Sequence, residues 1–343
     1  MVTIERAGAL SEGEWDAFVH AHPEASGYHL WGWRGVFERA FGHRTEYLLA
    51  RAGETVVGVM PLVVVPGLCS RPSLVSLPFV NYGGVLASSD QARAALLDAA
   101  VERAETLRAK GIELRHRVAQ FESLHHTRTR VGMVLPLAAE SREAWRQLDR
   151  KVRNQVRKAQ QAELTVASGG REHLDDFYAI FSRNMRDLGS PVFPRRFFAE
   201  MVETFCERTS IVIVRSGLTP IAGAVTFGFR ATIEVPSASS LRQHRALCGN
   251  TLLYWTIIER AIGDGYQALD FGRSAPDSGP YQFKRQWGAV ADPLCWEHWS
   301  SGAAPQIARR ADGAAMQAAI AMWKRLPVGV ATVLGPRVVR FFP

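Results

Sequence analysis

The sequence predicts an α/β protein with mixed α+β sheets, built as two tandem domains of one duplicated design. Three observations carry that expectation. In each half of the 343-residue chain a hairpin, a strand, a small-residue break, a helix, a glycine and a further strand follow in the same order. The two closing strands, Gly111-Ile-Glu-Leu-Arg115 and Gly265-Tyr-Gln-Ala-Leu-Asp270, correspond most directly. The composition, 47% hydrophobic and 22% charged, supplies enough apolar material for two cores.

In the first half, Ser11 and Glu14 are spaced as a capping box for a helix ending before Pro23. Gly27 to Phe41 is aromatic-rich (Tyr28, Trp31, Trp33, Phe37), a core stripe that turns helical in its second half. Tyr47 to Arg51 and Val56 to Val65 read as strands around a turn at Ala52-Gly53-Glu54. Leu74 to Phe79 is the next strand, broken at Asn81-Tyr82-Gly83-Gly84. Ser88 and Gln91 open a helix that runs to Lys110 and stops at Gly111. Ile112 to His116 and Val131 to Leu137 are strands.

A linking helix follows. Trp145, Leu148, Val152, Val156 and Ala159 form one stripe between Trp145 and Ala162. Arg150, Arg153 and Arg157 lie along one flank, Lys151 and Lys158 on the other. The next helix, striped by Leu174, Phe177, Phe181 and Met185, ends at Gly189 with Asn184, Arg186 and Asp187 in its last turn. Pro194 starts another.

The second half repeats the first. Ile211 to Val214 and Ile221 to Phe229 are strands around Ser216-Gly217, and Ala231 to Val235 is a third, ended by Pro236. A polar loop, Ser237 to Gly249, leads to a helix capped at Asn250 and ending near Gly263. Tyr266 to Phe271 is a short buried strand that stops at Gly272. Domain boundaries therefore fall at residues 1–140 and 141–300, with 301–343 as a basic amphipathic tail. Trp323, Phe341, Phe342 and the tail arginines suit either packing on the first domain or an anionic bilayer.

Net charge is +8, and its placement matters more than its size. Residues 150–160 carry five bases and no acid; from residue 301 onward six bases meet one acid. Two local patches, not a general coat, make the protein basic, which points to phosphate-bearing or anionic-surface partners. Cys69, Cys206, Cys248 and Cys295 form no CxxC pair and read as reduced thiols of a cytoplasmic protein. No histidine has a partner at zinc spacing, so no metal is expected. MVTIERAG has no apolar signal core, and Val56 to Leu68 is too short to span a membrane.

The site expected from the residues lies just past Phe271, where Arg273, Ser274, Asp277, Phe283, Lys284, Arg285 and Trp287 gather beyond a strand end. Asn250, with Gly249 before it, opens a helix whose amides suit an anion. Ser239 and Tyr254 suit the wall of the site. Lys151, Arg153 and Arg157 suit a nucleotide-sugar pyrophosphate, a lipid phosphate or an RNA backbone. The expectation is one crevice shared by segments 150–158 and 273–285, floored by Asp270.

Four motifs in order carry a family resemblance. They are Lys151-Val-Arg153-Asn154-Gln-Val-Arg157-Lys158, Asn184-Met-Arg-Asp187-Leu-Gly189, Asp270-Phe-Gly-Arg273-Ser274 and Phe283-Lys284-Arg285-Gln-Trp287-Gly288. Together they resemble the FemAB family, in its exosortase- and exopolysaccharide-associated branch. The resemblance implies two GNAT-type acyltransferase domains and a substrate site that includes Asn154, Asn184 and Asp187. It implies no tightly bound cofactor, an aminoacyl-tRNA or acyl-CoA donor, and an amine acceptor on a cell-envelope polysaccharide or peptidoglycan-type precursor, phosphate-bearing or a nucleotide sugar. The amide formation that this resemblance implies needs a neutral amine, a stabilised oxyanion and aligned reactants. Asp270 or Glu234 suits the proton acceptor; Lys284 and Arg273 suit a phosphate or the oxyanion. The sequence departs from that pattern twice: the GNAT pyrophosphate loop is degenerate in Arg245-Ala-Leu-Cys-Gly249-Asn250, and there is no room for a helical arm in the second half. The alternatives are an acyl-CoA N-acetyltransferase and a non-catalytic membrane-face subunit of exopolysaccharide machinery. Either way the expected location is cytoplasmic or peripheral to the inner membrane face.

Overall fold

The computed structural model describes residues 1–68, 70–302 and 313–343; Cys69, Arg309, Arg310 and Asp312 lie outside them. It forms two units. Unit 1 comprises Met1–Arg128, Pro293–Gly313 and Arg337–Pro343; unit 2 comprises Thr129–Asp292 and Ala314–Pro336.

In unit 1, β1 (Val2–Arg6), α1 (Glu12–Ala21) and α2 (Trp33–Phe41) precede the short β2 (Arg44–Thr45). Then come β3 (Leu48–Ala52), β4 (Thr55–Met60), β5 (Val63–Val65), β6 (Ser73–Val75), β7 (Leu86–Ala87), α3 (Asp90–Thr106), β8 (Gly111–His116) and β9 (His125–Thr127). One sheet runs β1-β3-β4-β7; the other holds β2, β5, β6, β8 and β9 together with the strand Cys295–Ser300. Helix α3 buries Ala92, Leu96, Ala100 and Ala104 against Leu48, Ala50, Met60 and Leu114. Its cap is Ser89, whose hydroxyl accepts from Ala92 N, while Ser88 N donates to Val57 O. At α1, Ser11 makes no side-chain cap bond.

The strand expected to reach Phe79 stops at Val75. It pairs in parallel with β8 only at Leu74↔Ile112 and Val75↔Glu113. Beyond that, Leu77 and Phe79 take left-handed backbone angles, and buried Arg115 donates to the carbonyls of Leu77 and Val80.

In unit 2 the elements are β10 (Val131–Pro136), α4 (Ser141–Gln147), α5 (Arg150–Gln161), β11 (Thr165–Gly169), α6 (Leu174–Leu188) and α7 (Arg195–Thr204). They continue with β12 (Thr209–Ser216), β13 (Thr219–Phe229), β14 (Thr232–Ser240), α8 (Gly249–Gly263), β15 (Ala268–Ser274), α9 (Gly279–Arg285) and β16 (Val290–Pro293). The strands form one seven-stranded sheet in the order β11-β12-β13-β14-β15-β10-β16. The linking helix is two helices, since Asp149 accepts from Lys151 N and starts α5 afresh.

Two strands cross the boundaries expected at 140 and 300. β10 pairs with β15 of unit 2, and Cys295–Ser300, hereafter β17, pairs with β8 of unit 1 from Cys295↔His116 to Ser300↔Gly111. β10 is thus the first strand of unit 2, whereas β17 returns to unit 1 after unit 2 in sequence. The tail forms α10 (Ala314–Trp323) and α11 (Val328–Val339).

Alternation fixes the two faces of the unit 2 sheet. Ile233, Val235, Leu269 and Phe271 join α5 and α8 in one core. Phe177, Phe181 and Phe198 form an aromatic layer on the face covered by α6 and α7. Glu234 and Asp270, each between two residues of the first face, therefore point to the α6 face.

Candidate functional site

Strands β14 and β15 pair in parallel only at Thr232↔Ala268, Ile233↔Leu269 and Glu234↔Asp270. β14 then continues to Ser240 and β15 to Ser274, unpaired with each other, so the sheet opens as a wedge. Pro236 permits this and does not end the strand. On the β13 side it sits at a bulge, between the pairs Val225↔Ser237 and Phe227↔Glu234; on the β15 side no partner needs its missing N–H. Strand β15 likewise runs through Gly272, which takes φ +75° within a bulge of β15 itself: Phe271 and Gly272 together face Met133 of β10.

Lys284 meets β15 where it has parted from β14. Helix α9 begins at Ser278, whose hydroxyl accepts from Tyr281 N, and delivers the lysine back onto β15. Its ammonium donates to the carbonyls of Gly272 and Arg273, 3.0 Å each. The side chain is buried, with 8% of the residue exposed. Burial pushes its pKa down from 10.5 to about 8, while Asp270 works upward and Arg273 downward. Asp270 is fully buried, and its Oδ1 accepts from Gly272 N at 2.7 Å. Glu234 is its register neighbour on the same face. Ser274 is buried with no hydrogen-bond partner for its hydroxyl. The lysine thus has one N–H beyond the two it spends on carbonyls, with two carboxyl side chains and an unpartnered hydroxyl on the same strand ends.

Other expected residues gather at the same end of the sheet. Ser239 accepts from Asn184 Nδ2 at 3.1 Å, tying β14 to α6. Asp187 pairs with Arg186, which also donates to Leu326 O. Tyr254 is a core residue: buried, packed 5.2 Å from the rings of Phe271 and Phe283, and held by burial well above the usual tyrosine range. Trp287 joins that cluster with its indole N–H unpartnered.

The basic helix is separate from the wedge. Arg150, Lys151, Asn154, Gln155 and Lys158 line an open groove with Asp149, and none of residues 270–285 reaches it. Arg153 donates instead to Arg146 O, and Arg157 lies over the Trp145 ring. The single crevice floored by Asp270 does not form, because α5 packs on α8, across the sheet from the Asp270 carboxylate. Gln155 accepts from Thr251 in the first turn of α8, so the groove borders that helix start. Gly249 is packed against Ile221, where a Cβ would lie 2.8 Å from Cδ1. The cap of α8 is Cys248, in a left-handed conformation, not Asn250. The preceding residues Arg242–Leu247 form a 3-10 helix whose amides turn back on their own carbonyls, as His244 N to Leu241 O and Cys248 N to Arg245 O.

Residues 146–285 match the family model for an acetyltransferase (GNAT) domain. That match spans the basic helix, the wedge and Lys284. Solved structures share the fold across nearly the whole chain. FemX has a TM-score of 0.64 at 16% identity, covering 86% of this chain and 96% of its own. A tandem GNAT protein from the clavulanic acid biosynthesis pathway has a TM-score of 0.58 at 12% identity, covering 89% and 100%. L-PGS from Bacillus licheniformis has a TM-score of 0.52 at 10% identity, covering 89% and 95%. No curated protein matches the chain. The chain therefore has the tandem GNAT-like fold.

Sequence reasoning missed a second buried polar cluster, in unit 1. The Glu297 carboxylate, fully buried, accepts from Gln120 N and Phe121 N and lies 2.6 Å from His116 Nδ1. His116 Nε2 accepts from Val85 N, which leaves the ring proton on Nδ1, facing Glu297. Only the β8–β17 pairing brings these residues together, and nothing local in sequence signals it.

Proposed function

We propose that this chain is an acyltransferase of the FemAB type, joining an acyl or aminoacyl group to an amine of a cell-envelope polysaccharide or peptidoglycan-type precursor. The observation that carries the reading is Lys284, a buried ammonium held at a gap in the sheet with one donor unspent. The GNAT domain match over residues 146–285 and the likeness to FemX support it.

The chemistry divides among the residues as follows. The acceptor amine nitrogen bonds to the donor carbonyl carbon, and the carbonyl oxygen gains charge that the third N–H of Lys284 stabilises. The amine loses its proton to the carboxylate of Glu234 or Asp270. The ester or thioester bond then breaks, its electron pair leaving with oxygen or sulfur, which takes up a proton. Ser274 and Asn184 orient the reactants, and Arg273 holds phosphate. The α5 groove, with Lys151, Asn154 and Lys158, receives a phosphate-bearing part of donor or acceptor.

A charged tRNA suits this site better than acyl-CoA, because the 3-10 helix before α8 spends amides that an open loop would offer to a pyrophosphate. Calorimetric titration with CoA and single-turnover transfer from aminoacyl-tRNA separate the two donors. Micromolar CoA binding with no transfer from charged tRNA would establish the acyl-CoA reading. Failure with both donors would refute acyl transfer.

A further inference from the structure

We infer that helix α10 and the outer face of α11 form a docking surface for an anionic lipid bilayer, a role independent of the acyl-transfer reading. Helix α10 and its lead-in, Gly313 to Trp323, contain no charged residue. Gln317 is its one polar residue, and a helix so largely apolar is normally buried. Here it is not: Met316, Ala318, Ala319, Ala321 and Met322 are all exposed, Met322 by 70%. Ile320 rests on protein, against Gly189 at the end of α6, and Trp323 is half-buried.

Helix α11 continues the surface. Ala331 and Gly335 form its inner stripe, with Gly335 close against Val192. Val330, Val333 and Leu334 form its outer stripe, and Val333 is 59% exposed. Leu188, at the end of α6, is also exposed. Large apolar side chains exposed together on consecutive helices mark a surface that something covers.

Charge decides what covers it. Lys324 and Arg325 follow α10 directly and are exposed, and the sequence from Gly313 to Pro343 holds four bases and no acid. An apolar helix flanked by lysine and arginine suits acyl chains below and anionic headgroups around it. No helix among the described residues is long and apolar enough to cross a membrane, so α10 would lie in the plane of the interface.

The test is flotation of the full chain with phosphatidylcholine vesicles and with vesicles of equal phosphatidylcholine and phosphatidylglycerol. The expected result is flotation with the anionic vesicles alone, weakened by salt. Met322→Glu and the double variant Lys324→Glu/Arg325→Glu should each reduce it by about tenfold or more, with unchanged circular dichroism. No flotation with anionic vesicles, or equal flotation with both kinds, overturns the inference. So does a dimer in light scattering that Met322→Glu dissolves, since a second copy would then be the partner.

Discussion

The ammonium of Lys284 lies 3.0 Å from the carbonyl oxygen of Gly272, on the strand that β14 has already left. A sheet that opens must find other partners for its carbonyls. Here a lysine from the following helix supplies them, and burial in that position lowers its pKa to about 8.

That shift makes a prediction about pH. Between about 8 and 10.5 the unfolded chain holds this proton longer than the native chain, so the lysine's contribution to stability rises with pH across that window. Urea unfolding of wild type and Lys284→Met, compared at pH about 7 and about 10, should show wild type gaining on the variant. A difference that stays constant with pH would mean that Lys284 is an ordinary solvated lysine.

Gly272 should resist substitution. Its φ of +75° is left-handed, and Asp270 and Lys284 both bond to its backbone. Gly272→Ala should destabilise by about 1–2 kcal/mol, read as a lowered urea midpoint. An unchanged midpoint would show that the strand relaxes there freely.

His29 predicts acid sensitivity in unit 1. Burial holds its pKa down at about 3, and its Nδ1 accepts from Ser26 N. Below the usual value of 6.5 the unfolded chain takes up a proton that the native chain refuses, so stability falls as pH drops from there toward 3. His29→Gln should flatten that fall in acid unfolding curves, and an unaltered curve would assign it to other groups.

Glu297 predicts a larger effect. Burial works to raise its pKa, but His116 and the amides of Phe121 and Gln120 outweigh it and hold the carboxyl below its usual value. Its contribution is therefore lost as pH falls through that lowered value. Glu297→Gln should destabilise by about 1–3 kcal/mol, because an amide replaces one acceptor oxygen with a donor facing backbone N–H groups. Retained stability would leave the β8–β17 pairing to backbone bonds alone.

Much of this was legible in the chain. The duplicated element order, the α5 stripe and the approach of Lys284 to the end of the strand that carries Asp270 could be read from spacing. The sheet membership of two strands could not, since Val131–Pro136 and Cys295–Ser300 carry no mark of which sheet they join. The wedge was hidden for a related reason. Pro236 looks like a strand end, and only its own place in a bulge of β14 and the departure of β15 make it tolerable inside a strand. The groove and the wedge were merged because both are cationic and follow strand ends, whereas pattern alone does not say that α5 covers the face opposite Asp270. The expected roles of Arg153 and Arg157 also gave way to local contacts with Arg146 and Trp145.

The most direct test is single-turnover transfer from aminoacyl-tRNA and acyl-CoA donors to amine acceptors, with wild type and Lys284→Met side by side. The account predicts that wild type consumes one donor and that the variant, still folded, does so about a hundredfold more slowly. Equal rates from the two proteins would contradict it.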